Sequence, residues 1–189
     1  MPKIVATKED WIKLGYVFFS DSGITGLNVD KMSRELSCNK SSFYWHFKTK
    51  KDFIKSLIEY WISVDTYKII EEVNKTSAPI DKLRKLIQIA FKKDSNLDFI
   101  FYLKRYAQSD IKIKKQVEVI DRERIEFVTE LIMRIGYSKT DAALKAGIFY
   151  NYLIGYHETI RYKAQEKNYL SKVLLEINQF IHLDGIIKK

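Results

Sequence analysis

The sequence predicts an all-α chain. Its 189 residues hold only 7 Gly and 2 Pro, too few of the residues that punctuate sheets and barrels. Hydrophobic residues make up 46% and aromatic residues 14%, enough to bury a real core in one large or two small domains. Apolar positions recur at helical spacing in one segment after another, and most segments open with a residue able to cap a helix.

Thr7 opens the first helix, because its hydroxyl and the Asp10 carboxylate can satisfy the free N–H groups of a first turn. Trp11, Leu14, Val17 and Phe18 form its apolar stripe, which runs out at Asp21-Ser22-Gly23. Asn28 caps a short second helix carrying Val29, Met32 and Leu36, with Asp30 well placed for the helix dipole. Ser37 and Cys38 make a tight connection, and Asn39 caps a third short helix. Thr49 with Asp52 starts a fourth helix, expected from Lys50 to about Val73 on the stripe Phe53, Leu57, Tyr60, Trp61 and Val64.

The polar stretch 74–78 and then Pro79 mark a boundary, followed by an amphipathic helix with Ile80, Leu83, Leu86, Ile87, Ala90 and Phe91. Ser95-Asn96-Leu97-Asp98 predicts a cap leading into the aromatic run Phe99, Phe101, Tyr102 and Tyr106. Ser109-Asp110 opens a long charged helix to Ile135, stopped by Gly136. Ser138 and Asp141 box the start of a helix of about 25 residues. After Asn168 a last helix carries Leu170, Val173, Leu174, Ile177, Phe180 and Ile181, making about nine helices in all.

A net charge of +9 points to a polyanionic partner, nucleic acid or an acidic membrane surface, with solubility alone as the plain alternative. The single cysteine, Cys38, excludes an intramolecular disulfide framework. His46, His157 and His182 offer no closely spaced zinc ligand set, so neither metal nor cofactor is expected. The first residues lack the apolar core of a signal peptide and no stretch is long enough to span a bilayer, so a cytoplasmic chain without membrane contact is expected. No Gly-rich phosphate loop, His-x-x-x-His or Gly-x-Ser-x-Gly occurs, which argues against an enzyme.

The densest chemistry lies in Ser41 to Phe53, SSFYWHFKTKKDF. Two short helices joined by three or four residues read as a helix-turn-helix, whose second helix can lie in a DNA major groove. Phe43 and Phe47, at i and i+4, suffice to anchor one face of that helix, whereas Lys40, Ser41, Ser42, Tyr44, Trp45 and His46 are together too polar for a core. Lysines supply charge for phosphates, hydroxyls and imidazole can hydrogen-bond to phosphate or base edges, and rings can pack on sugar or a thymine methyl.

At these residues the chain resembles the TetR family of transcriptional regulators, in the run Tyr44-Trp45-His46-Phe47-Lys48-Thr49-Lys50 and in Gly23-Ile24-Thr25-Gly26-Leu27 before Asn28, Val29 and Met32. The motif resemblance covers about Thr7 to Leu57, and beyond it the likeness is one of helix order and spacing. It implies a three-helix DNA-binding domain over 1–53 and a larger helical effector-binding and dimerisation domain over 54–189. It implies recognition-helix contacts from Lys40, Ser42, Tyr44, Trp45 and His46, and phosphate contacts from Asn28 and Lys50 at two helix starts. Two positions depart from the family's pattern. Ser37 and Cys38 fill a turn where relatives commonly carry a glycine, and Asp30 stands where a base-reading cation is sometimes found.

In the second half, Phe99, Tyr102, Tyr106, Phe127, Phe149, Tyr152 and Tyr156 could line an apolar cavity for a small molecule or fill an ordinary core. The resemblance implies a ligand pocket there without disclosing its chemistry. Ala142, Ala143, Ala146 and Gly147 allow close helix approach, while Leu153, Ile154, Ile160 and the final stripe offer more apolar surface than two helices need. A homodimer through the last two helices follows. The expected protein is a ligand-responsive repressor: a homodimer on a near-palindromic operator, released by a small-molecule effector. The alternative is a basic all-α module attaching to nucleic acid or acidic membranes without sequence preference.

Overall fold

Capping decides where the helices begin. A computed structural model describes residues 6–93, 98–161 and 163–182, the side chains of Phe180 and Ile181 excepted. Among the described residues there are ten α-helical segments and no strand. They are α1 (Lys8–Ser22), α2 (Val29–Glu35), α3 (Lys40–His46), α4 (Lys50–Ile62), α5 (Lys68–Asn74), α6 (Pro79–Ala90), α7 (Asp98–Ala107), α8 (Ile111–Arg134), α9 (Lys139–Ile160) and α10 (Tyr169–Ile181). The capping boxes at Thr7 and Thr49 form as expected, each side chain accepting from the backbone N–H three residues on. Asn28 and Ser138 cap α2 and α9 in the same way. Asn39 precedes α3 without a side-chain hydrogen bond to it. The cap expected at 95–97 lies outside the described residues.

The fourth helix does not run uninterrupted to Val73. Residues Ser63–Tyr67 form a π turn between α4 and α5, so one extra residue is accommodated within a continuous helical path. The chain divides here into two compact units, Met1–Asp65 with Ser95–Lys114 and Thr66–Asp94 with Lys115–Lys189. The expected boundary at 53/54 would cut through α4, whose Phe53, Ile54, Leu57, Ile58 and Trp61 are buried. α4 and α7 both pack on α1 in the first unit.

The first unit is built on α1. Its buried line is Trp11, Gly15 and Phe19 with Tyr16, one register away from the expected stripe. Val17 is exposed and Phe18 half-buried. The physical reason is Gly15: a Cβ there would lie 2.4 Å from Phe53 Cζ and 3.0 Å from Leu57 Cδ2, so the absent side chain is what lets α4 approach. Phe99 of α7 stacks on Tyr16 with centroids 4.9 Å apart and lies 5.7 Å from Trp61, nearly parallel. Tyr102 donates to Asp21 O at 3.2 Å and covers Gly23, whose φ of +63° ends α1.

The second unit has its own core. Val73, Leu83, Leu86, Ile87 and Phe91 meet Val128, Leu131 and Ile132 of α8, Ala142, Ala146 and Phe149 of α9, and Val173 and Ile177 of α10. Thus Ala142, Ala146, Val173 and Ile177 are consumed inside the chain. Lys93 Nζ donates to the carbonyls of Ile160, Arg161 and Lys163 at 3.1, 2.9 and 2.8 Å, satisfying the end of α9. No helix among the described residues is long and apolar enough to cross a membrane.

Candidate nucleic-acid interface

The turn between α2 and α3 is strained where a glycine would relax it. Ser37 takes φ +50°, a left-handed conformation costing on the order of 1 kcal/mol for a residue with a Cβ. Its neighbour Cys38 is half-buried, and burial pushes the thiol up while a hydrogen bond with Ser42 pulls the other way. A raised thiol holds less thiolate and is less reactive.

α3 has two sharply different faces. Phe43 and Phe47 are fully buried and pack on Phe53, with centroids at 5.1 and 4.8 Å. Ser42 and His46 share their side of the helix. Ser42 Oγ donates to Ala6 O at 3.2 Å and accepts from Trp11 Nε1 at 3.2 Å, and His46 Nε2 lies 2.9 Å from the same carbonyl. The opposite face presents Lys40, Ser41, Tyr44 and Trp45, with Lys48 just beyond. Tyr44 is 59% exposed and Trp45 80%, values at odds with any role in this chain's own core.

Around this face stand the other expected contacts. Asn28 is exposed, its Oδ1 accepting from Lys31 N–H at 3.0 Å. Lys50 is exposed in the first turn of α4. Lys40 forms an ion pair with Asp30, tying α2 to α3. Of the seven expected contacts, five are open to solvent, while Ser42 and His46 are hydrogen-bonded within the unit. Helical spacing alone carried that signal, since 42, 43, 46 and 47 fall on one side and 40, 41, 44, 45 and 48 on the other. Ser41 and Lys48, absent from the expected set, lie on the open side.

The seven aromatics expected around an effector are divided between the two units. Phe99, Tyr102 and Tyr106 belong to the first unit and Phe127, Phe149, Tyr152 and Tyr156 to the second. Phe99 and Phe149 are core. Tyr152 and Tyr156 are half-buried around Phe91, at 5.3 and 5.2 Å between centroids. Tyr152 is hydrogen-bonded to Glu176, and Tyr156 accepts from Gln165 Nε2 at 3.1 Å.

Solved structures share this architecture. A TetR-family regulator from Agrobacterium tumefaciens matches with a TM-score of 0.67 at 14% identity, over 91% of this chain and 96% of that one. The chain has the fold of the TetR family. A transcriptional regulator from Rhodococcus sp. Rha1 matches this TetR fold with a TM-score of 0.78 at 13% identity, covering 97% of this chain and 100% of the other. AibR, solved with isovaleryl coenzyme A and operator DNA, matches with 0.69 at 11% identity over 92% and 97%. By sequence, the uncharacterized HTH-type transcriptional regulator YerO of Bacillus subtilis is 32% identical over 99 residues, 51% of this chain and 34% of its own length. No family model matches the chain.

Proposed function

We propose that this TetR-fold chain is a DNA-binding transcriptional regulator, a repressor that holds a near-palindromic operator as a homodimer and is released by a small-molecule effector. The observation that carries the reading is the exposed aromatic pair Tyr44 and Trp45, at 59% and 80%, on a short helix whose other face is bonded into the unit. Flanked by Lys40, Lys48 and Lys50, these rings offer stacking or methyl contact beside cations for phosphate. Asn28 and Lys50 take the phosphate contacts. The first unit binds DNA, and the second carries the effector and the partner chain.

The dimer reading is supported by an apolar face that no element among the described residues covers. Leu144 and Ile148 of α9 are 64% and 49% exposed and Leu175 of α10 is 59% exposed. A Cβ on the intervening Gly147 would meet nothing within 4 Å. A second copy of the chain packing α9 and α10 against their equivalents would cover this face. The effector reading is supported by AibR, whose structure holds an acyl coenzyme A together with operator DNA. In the present chain, the half-buried, polar-tipped Tyr152 and Tyr156 are the groups suited to line such a site.

The test is to incubate the protein with a random duplex pool at near-physiological salt and sequence the retained DNA. Enrichment of one inverted repeat, lost in Tyr44→Ala and Trp45→Ala, is the expected result. Retention without enrichment would reduce the protein to charge-driven attachment and sink the reading.

A further inference from the structure

Two polar side chains of α3 point away from solvent and converge on one backbone atom. The Ala6 carbonyl accepts from Ser42 Oγ at 3.2 Å and from His46 Nε2 at 2.9 Å. A carbonyl only accepts, so Nε2 carries the hydrogen, and both lone pairs of the Ala6 oxygen are engaged. Ser42 Oγ in turn accepts from Trp11 Nε1 at 3.2 Å. Ala6 is 3% exposed and Trp11 0%. The next residue, Thr7, caps α1, its N–H donating to Asp10 at 2.8 Å. The segment entering α1 is therefore held by α3 at Ala6 and by α1 at Thr7.

We infer that Ser42 and His46 are positioning residues that clasp the entry to α1 onto the recognition helix, rather than residues that touch DNA. The inference rests on the reading of α3 as the DNA-facing helix. With its Nε2–H on Ala6, His46 could reach a phosphate or base through that nitrogen only by breaking the clasp, and Ser42 Oγ is already held between Ala6 O and Trp11 Nε1. The imidazole also stands edge-on to Trp45, with centroids 4.7 Å apart and an interplanar angle of 78°. Fixing His46 thus limits where the exposed indole can lie. α3 is only seven residues long, too short to hold its shape without tertiary contacts. Loosening the clasp lowers the fraction of molecules presenting α3 correctly, and the apparent affinity falls by that fraction whatever the base sequence.

The test uses the full chain, well below its unfolding temperature, with His46→Ala, His46→Gln and Ser42→Ala. Hydrogen exchange of the α3 amides and of the Trp11 indole N–H is followed without DNA. Affinity is then measured for an enriched duplex and its single-base-pair variants. In DNA-free protein, His46→Ala and Ser42→Ala should accelerate exchange in α3, and Ser42→Ala should also accelerate it at the Trp11 indole. Both should weaken binding about three- to tenfold, the scale of one lost hydrogen bond, by a similar factor on every duplex. His46→Gln, whose amide can donate to Ala6, should recover most of the loss. Unchanged exchange in both alanine variants would overturn the inference, as would an affinity loss concentrated at one base pair. If the native chain enriches no duplex, the DNA reading itself fails, and the exchange measurement alone decides the clasp.

Discussion

The guanidinium of Arg124 donates to the hydroxyl oxygen of Thr66 from Nε at 3.0 Å and from a terminal nitrogen at 2.8 Å. Thr66 is 2% exposed and lies in the π turn. Thr66→Val keeps the shape and removes the acceptor. It should destabilise the second unit by about 1–3 kcal/mol, the cost of stranding a charged donor's bonds. Urea unfolding followed by circular dichroism would show this as a lower midpoint, and an unchanged midpoint would mean the two bonds are replaced by water.

Gly15 offers the sharpest packing test. An added Cβ would sit 2.4 Å from a Phe53 ring carbon. Gly15→Ala should therefore cost about 1–3 kcal/mol through overpacking, despite the gain in helix propensity. A rise in melting temperature would refute the close approach of α1 to α4.

The α9 and α10 face can be tested without DNA. Leu144→Lys and Ile148→Lys change exposed positions and should alter protomer stability by no more than about 0.5 kcal/mol. If a second copy covers them, the double variant should weaken self-association by at least about tenfold, given the worth of one buried aliphatic side chain. Sedimentation equilibrium distinguishes the cases, and a native chain that is monomeric throughout would end the dimer proposal.

His157 sets an expected pH response. Its Nε2 lies 2.6 Å from Ala90 O, its Nδ1 is buried without a hydrogen-bond partner among the described residues, and burial lowers its affinity for a proton below the ordinary histidine value of 6.5. The unfolded chain binds that proton more readily. The contribution is thus fully present above about pH 6.5 and is lost as pH falls towards the depressed folded value. Comparing melting temperatures at about pH 7.5 and about pH 5.5 should show a larger drop for the native chain than for His157→Phe. Equal drops would remove His157 from the account.

The Asp30 and Lys40 ion pair is exposed on both sides, at 51% and 58%, so its worth to stability is small. Its effect on DNA should be larger. Asp30→Asn frees the Lys40 ammonium, and non-specific duplex binding should tighten with a log–log salt slope steeper by about 0.9, one additional phosphate contact. A slope equal to that of the native chain would show that Lys40 does not reach phosphate.

Helix starts were readable because Thr7, Asn28, Thr49 and Ser138 act within one turn of their own position. The Phe43 and Phe47 anchor was readable for a similar reason, since i,i+4 spacing names a face. What escaped depended on distant partners. The register of α1 turns on a glycine whose significance is the Phe53 ring, 38 positions away in sequence. The burial of Phe99 turns on α7 packing against α1, which local periodicity does not encode. The inward turn of Ser42 and His46 could be guessed from their shared side with the phenylalanines, but the acceptor on Ala6 could not.

The discontinuous make-up of the first unit bears on how the chain is synthesised. Tyr16, Phe19 and Trp61 all have Phe99 as a ring partner, and that unit takes in residues up to Lys114. On the ribosome, α1 to α4 can therefore emerge in full while an aromatic side of α1 and α4 is still uncovered. At about 5–20 residues per second, closure must wait several seconds for α7 to appear. A fragment cut after the π turn would inherit that uncovered side permanently, so α1 to α4 should be less soluble when expressed by themselves than within the full chain.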